Sequence, residues 1–180
     1  MRIGILLQSL DETMGGIGVY TQEIVRSLLH VDRTNEYILM YPAFGTARTR
    51  LGQFRHHKNV IEIETEFFRA PLRTYWDQVI ARTPRVVQKA RALVPIETFW
   101  DQVIVPRVAK KYEVDVLFNP HLTVPIRGRF GKVMVVHNVE YHTVPKVYTW
   151  RIYSWWFLLE KFVMPAADRI TRDHCNHRFR

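Results

Sequence analysis

Short apolar runs alternate with longer amphipathic segments along this chain. The apolar runs predict strands at Arg2–Leu7, Glu36–Tyr41, Asn59–Glu64, Val114–Phe118 and Lys132–His137, with the start of another at Asp168–Ile170. The run Lys132–His137 is the most continuous and is predicted to be a central, buried strand. The run Asn59–Glu64 alternates between apolar and polar residues and therefore fits an edge strand.

Apolar residues recur at helical spacing between these runs. This spacing predicts helices at Val19–His30, Trp100–Tyr112 and Thr149–Val163. Pro106 lies inside the second pattern, so that helix is expected to start or kink there. The third pattern carries a wide apolar stripe, made of Ile152, Trp155, Trp156, Leu159 and Phe162.

Strands that alternate with helices indicate βαβ units. The predicted fold class is therefore α/β, a single Rossmann-like domain with a mostly parallel sheet flanked by helices. Ligands of such sheets bind beyond the carboxyl ends of the strands. Three segments are expected at that edge: Gly15–Gly18, Asn119–Pro125 and His137–His142.

The segment Glu66–Pro95 is basic and aromatic and has no clear pattern. The pentapeptide Trp-Asp-Gln-Val-Ile occurs at Trp76–Ile80 and again at Trp100–Ile104. Two interpretations stay open for this part of the chain. One is a pair of similar helices with an apolar face, and the other is a mobile loop plus helix near the ligand face.

Composition narrows the class of protein. Apolar residues make up 47% of the chain, which predicts a folded domain. No apolar run is long enough for a membrane span, and Asp11 and Glu12 interrupt the first one, which argues against a signal peptide. The single cysteine, Cys175, excludes an internal disulfide framework and a multi-cysteine metal site. A cytoplasmic location is the expectation.

The net charge of +9 predicts attraction to anionic partners. The basic residues cluster at Arg48–Lys58, Arg82–Arg91 and Arg169–Arg180. A solvated face is the favoured interpretation of each cluster, and contact with an anionic partner is the alternative. Nucleic acid is not expected as a partner, because no recognition motif accompanies the charge. The aromatic helix Thr149–Val163 either packs on the sheet or contacts an anionic membrane surface, such as the inner membrane face, as a peripheral partner.

A glycine-rich turn separates the first predicted strand from the first helix. The residues Gly15, Gly16, Ile17 and Gly18 match neither the dinucleotide fingerprint nor the P-loop spacing. Their position still matters, because backbone N–H groups at a helix start can bind a phosphate. The alternative is a turn that needs glycine for a positive φ.

Histidines follow two of the predicted strands. His137, followed by Asn138, comes directly after the buried strand and is expected to face the cleft, where it could bind a sugar hydroxyl, stabilise developing charge or shuttle a proton. A structural histidine is the alternative. Glu140 and His142 share its loop, but a metal site is not expected because no helix places these side chains on one face. His121 follows another strand and is a candidate second wall of the cleft.

Four features, in this order, resemble the N-terminal domain of family 4 glycosyltransferases, which have the GT-B fold. They are Arg2–Leu7 with Gly15–Tyr20, then Asn35–Tyr41, then Trp100–Pro106 leading to Val114–His121, then Val135–Asn138 with the aromatic helix and Ala166–Ile170. Together they span residues 1 to 170. The order and spacing of these features are more specific than any one of them.

The resemblance implies a retaining transfer of a sugar from a nucleotide-sugar donor to a carbohydrate or lipid-linked acceptor, without a metal or other cofactor. It implies that His137 lines the cleft as the catalytic residue. It also implies that backbone amides around Gly16 approach the donor phosphate or the acceptor. The remaining substrate-binding candidates are Gly15, Ile17, Gly18, His121 and Asn138.

Two departures from the family pattern affect these expectations. The family usually has His-Asp where this chain has His137-Asn138, so the role of that aspartate is not carried over. After Ile170 the family continues into a donor-binding domain, whereas residues 171–180 predict an irregular basic tail. The sequence therefore predicts an acceptor-side domain, cut short by a truncation or a frameshift, that is inactive alone. The alternative function is a non-catalytic module that binds a phosphorylated ligand or an anionic membrane.

Overall fold

The structure is a computed structural model that describes residues 1–10, 15–42, 47–65, 99–137, 154 and 156–172. It is an α/β structure built on a six-stranded sheet, and all of its strand pairs are parallel. The strands are β1 (Arg2–Leu6), β2 (Glu36–Pro42), β3 (Val60–Thr65), β4 (Val116–Asn119), β5 (Gly131–Val136) and β6 (Arg169–Arg172). The prediction of an α/β fold with a mostly parallel sheet is confirmed.

The strand order is β3-β2-β1-β4-β5-β6. This is the doubly wound order of Rossmann-like sheets, in which the winding reverses between β1 and β4. The sequence predicts the positions of two strands in this sheet. The edge strand is confirmed, because β3 pairs with β2 alone. The strand β5 pairs on both sides as expected, but it lies one strand from the edge because β6 pairs beside it.

The core has two layers because successive strand residues face opposite sides of the sheet. Ile5 and Leu39 pack with helix α1 (Gly16–Val31), through its buried Val25 and Leu29. The opposite face packs against helix α2 (Val105–Lys111); this cluster contains Leu6, Ile38, Met40, Trp100, Val105, Ala109 and Leu117. Helices on both faces leave the two ends of the strands accessible to ligands.

Helix α1 begins three residues earlier than the apolar pattern predicts, at Gly16 rather than Val19. The alternative interpretation of these glycines, a turn that needs a positive φ, is wrong. Gly15 is the N-cap with φ −74°, and among the described glycines a positive φ occurs at Gly52 and Gly128. Glycine has a low helix propensity, so the sequence pattern underestimates the length of this helix.

The second predicted helix consists of two parts. Trp100–Ile104 forms a π-helical turn, and α2 follows with Pro106 in its first turn. Proline is tolerated there because the N–H groups of a first turn have no intrahelical acceptor. The expectation that this helix starts or kinks at the proline is therefore confirmed.

The structure describes residues 154 and 156–163 of the third predicted helix. The prediction of its buried apolar residues is only partly correct. Leu159 and Val163 are buried, whereas Phe162 is 58% exposed. Leu159–Val163 forms a π-helical turn, and such a turn needs more residues than an α-helical one. The buried face therefore moves on from Phe162 to Val163.

Strand β6 runs through Thr171 and Arg172, because these residues pair with Val135 and Val136. It thus extends two residues into the segment that the sequence predicts to be irregular. The predictions for Glu66–Pro95, for the Trp76–Ile80 copy of the pentapeptide and for residues 173–180 lie outside the described residues. Within the described part, no helix is both long and apolar enough to cross a bilayer.

Candidate functional site

The candidate site lies at the carboxyl ends of β1 and β4, where the winding of the sheet reverses. The loops that leave two neighbouring parallel strands in opposite directions open a crevice at this point. The first loop leads into the start of α1, and the second contains residues 120–125. His137 follows the next strand, β5, at the same edge.

The start of α1 presents backbone N–H groups. The first intrahelical bond runs from Val19 N to the carbonyl oxygen of Gly15 at 3.2 Å. The N–H groups of Gly16, Ile17 and Gly18 therefore have no acceptor inside the helix. The N-cap residue, Gly15, has no side chain that could cap this end of the helix, and the first turn contains no acidic residue. The partial positive charge of the helix dipole is thus not offset by the helix's own side chains.

Gly15 and Gly16 are not required by the fold. Both are exposed, and a Cβ built on either glycine meets no atom of the described residues within 4 Å. Neither has a positive φ. Gly18 differs, because it is buried on the side of α1 that faces the protein. Glycine at positions 15 and 16 instead leaves the backbone open to close approach by another molecule.

Side-chain hydrogen bonds fix the β1–α1 connection near these glycines. Thr21 donates to the carbonyl oxygen of Ile17 at 2.8 Å, and its Oγ1 lies 2.7 Å from Ser9 Oγ. Because the Thr21 hydrogen is used in the first bond, Ser9 is the donor in the second. The loop after β1 is thereby joined to the first turn of α1.

His137 connects three elements. Its Nε2 lies 2.8 Å from the carbonyl oxygen of Pro120, in the loop after β4. A carbonyl oxygen only accepts, so this nitrogen carries a proton and donates it to Pro120. The Tyr20 ring of α1 meets the His137 ring edge to face at 4.9 Å. The imidazole is therefore oriented from two sides.

His121 lies beside His137 in an environment that keeps it neutral. Burial is the main cause that lowers the pKa of His121 from 6.5 to about 4, and the nearby charge of His137 contributes further. Its Nδ1 is buried and has no hydrogen-bond partner among the described residues. At neutral pH this side chain provides an uncharged imidazole at the edge of the crevice.

The loop that carries His121 is held from the other face of the sheet by the π-helical turn. Gln102 donates to the carbonyl oxygen of Val124 at 3.0 Å and accepts from the N–H of Ile126 at 2.9 Å. Asp101, which is 1% exposed, accepts from the Thr123 hydroxyl, and Thr123 in turn accepts from Asn119. The sequence analysis did not predict these bonds, although Asp101 and Gln102 both belong to the repeated pentapeptide Trp-Asp-Gln-Val-Ile.

The structure thus brings most of the predicted site residues to one edge. Gly15, Gly16, Ile17 and Gly18 begin α1, Tyr20 links that helix to His137, and His121 lies beside His137. Asn138, Glu140 and His142 lie outside the described residues. Within the described ranges, no group of three or more His, Cys, Asp or Glu side chains is placed to hold a metal ion.

Comparison of the chain with protein-family models, with curated proteins and with solved structures gives no match. The functional interpretation therefore depends on the sheet, the start of α1 and the two histidines.

Proposed function

We propose that this chain provides the acceptor-side domain of a glycosyltransferase of the GT-B, family 4 type, which transfers a sugar from a nucleotide-sugar donor with retention of configuration. The observation that carries the proposal is the pair Gly15 and Gly16. Neither packing among the described residues nor backbone conformation requires glycine there, and both residues lie at the helix start that follows β1. Close approach of a ligand to the backbone explains both positions.

The first turn of α1 supports the handling of an anionic group. The N–H groups of this turn have no acceptor within the helix, and together with the helix dipole they favour negative charge. The first turn contains no carboxylate of its own that would compete. In a sugar transfer from a nucleotide donor, negative charge develops on the departing phosphate. Amides that are already aligned stabilise such charge without reorganising during the reaction.

The two histidines support recognition of the sugar. The Nε2 of His137 donates to the carbonyl oxygen of Pro120, which fixes the imidazole ring at the end of β5, next to the start of α1. His121 is held neutral by burial. An uncharged imidazole at position 121 suits an uncharged, hydroxyl-rich ligand.

The test is a binding panel of nucleoside diphosphates, nucleotide sugars, glycans and inorganic phosphate, measured by calorimetry. The Gly16→Ala variant is expected to weaken binding of a nucleotide sugar or glycan by about tenfold or more, because a methyl group occupies the approach to the amides. Gly131→Ala is the matched control, since its built Cβ meets its nearest atom at 3.4 Å and lies at the opposite end of β5. Equal affinities of the two variants would contradict the proposal.

Turnover in this proposal requires a second domain that carries the donor and faces this edge of the sheet. Residues 1–180 alone are therefore expected to bind ligand without transferring sugar. Rapid transfer by this chain in an assay with nucleotide sugars and acceptors would contradict the division into acceptor and donor sides.

A second candidate function is a non-catalytic module for a phosphorylated ligand. The start of α1, whose first turn contains no acidic residue, favours it as much as it favours the transferase. The same panel separates the two functions. Binding of inorganic phosphate without any preference for sugar-containing ligands supports the module, whereas dependence on the sugar supports the transferase.

A further inference from the structure

A second positively charged surface lies at the opposite end of the strands, next to the amino ends of β4 and β5. Arg107 and Lys110 of α2 form one side, and Arg127 and Arg129 of the loop before β5 form the other. We call this surface the basic groove. Its volume is about 750 Å³, and apolar side chains, including Phe130, form part of its lining.

The loop that carries the two arginines is held in a defined shape. Gly128 has φ +138°, and a Cβ at this position would overlap the Phe130 ring. The side chain of Lys132 donates to the carbonyl oxygen of Ile126 at 3.2 Å, which closes the loop. The ordered turn places Arg127 and Arg129 on either side of the glycine, across the groove from α2.

Four cations line this groove together with one carboxylate, Glu113. Among the described residues, none of the four forms an ion pair. The carboxylate at the rim, Glu113, is 2.7 Å from Arg2 and is engaged there. Arg107 and Lys110 are also three residues apart on one helix, where like charges repel. A bound anion would relieve this repulsion.

The basic groove lies away from the candidate cleft. Residues 127–130 precede β5, whereas His137 follows it, and the strand separates the two positions along the sheet. The clustering is invisible in the sequence because Arg107 and Arg127 come from separate segments. A ligand in this groove does not need the sugar-transfer chemistry of the other edge.

We propose that the basic groove binds a phosphate ester, with the phosphate held by Arg127 and Arg129 and the organic part lying on Phe130. Arginine presents paired N–H donors that match two phosphate oxygens. The aromatic ring and the neighbouring Val114 offer an apolar surface for the esterified group. The ester can be a soluble small molecule or the headgroup of an anionic lipid, because the phosphate chemistry is the same.

The experiment uses two probes with the complete chain. Phenyl phosphate in calorimetry represents a soluble ester, and sedimentation with phosphatidylcholine vesicles containing phosphatidic acid represents a lipid headgroup. The Arg127→Gln/Arg129→Gln double variant is expected to lose about tenfold or more of the affinity for whichever probe binds. The control is Arg33→Gln/Lys58→Gln, which removes the same charge from exposed positions outside the groove.

Loss of binding confined to the groove variant supports the proposal, and the responding probe identifies the source of the ester. Thermal unfolding of both variants shows whether they are folded. A second measurement uses the unmodified chain and asks whether the bound probe protects Arg127 from arginine-modifying reagents. Equal losses in both variants, or no binding of either probe at about 10 mM ligand, would overturn it. Tighter, groove-dependent binding of RNA would also overturn it.

Discussion

Replacing His121 with glutamine is expected to remove the contribution of this residue to the pH dependence of folding between about pH 4 and pH 6.5. In the folded protein, burial and the charge of His137 lower the pKa of His121 from 6.5 to about 4. Above both values the imidazole is neutral in the folded and unfolded states. Between them the unfolded chain binds a proton that the folded protein does not, so stability falls as the pH falls.

The size of this effect follows from the difference between the two pKa values. It corresponds to about 3 kcal/mol of unfolding free energy, or about 1.4 kcal/mol for each pH unit inside the window. Below about pH 4 both states are protonated and the loss levels off. Burial also lowers the pKa of His57, but His57 is present in both proteins and its contribution cancels in the difference.

The assay is urea unfolding of the unmodified chain and of His121→Gln at several pH values, followed by circular dichroism. The stability difference is expected to change by about 2–3 kcal/mol between neutral pH and pH 4. A difference that stays constant within about 0.5 kcal/mol would refute the burial of His121. NMR titration of the His121 ring in the unmodified chain gives the same pKa even if the variant does not fold.

Three further substitutions follow from the same structure. Gly16→Ala is expected to raise the unfolding free energy by about 0.4–1 kcal/mol, because the site has room for a methyl group and the unfolded chain loses freedom; a lower melting temperature would contradict the open start of α1. Gln102→Ala removes the bonds to Val124 and Ile126 and is expected to cost about 1–2 kcal/mol, with faster hydrogen exchange at the Ile126 amide; unchanged exchange would show that the loop after β4 is held otherwise. Gly128→Ala is expected to cost about 1–3 kcal/mol in urea unfolding, whereas Gly131→Ala costs less; equal values would contradict the left-handed turn over Phe130.

The six strands and the order of elements were predictable because they depend on local patterns. A buried parallel strand is a continuous apolar run, and an amphipathic helix repeats about every turn, so both can be recognised within a few residues. The start of α1 was not predictable in this way. Its first turn contains Gly16 and Gly18, and glycine lowers the expected helix content of any window that includes it.

The support of the site depends on contacts between distant parts of the chain. Asp101 and Gln102 bond to residues 22 and 24 positions away, which no local pattern reveals. The exposure of Phe162 similarly depends on a π-helical turn that changes the face of a helix within a single turn. The two candidate histidines were found from the sequence because each lies within two residues of the end of a strand.

The most direct test of the glycosyltransferase proposal is to map the backbone amides that a nucleotide sugar perturbs in the isotope-labelled protein by NMR. Perturbations are expected at Gly16, Ile17 and Gly18 and at Tyr20, His121 and His137, because these residues form one edge of the sheet. They are also expected to be weaker with the sugar-free nucleotide. Perturbations confined to Arg127 and Arg129, or none at about 10 mM ligand, would contradict a sugar-binding cleft between β1 and β4.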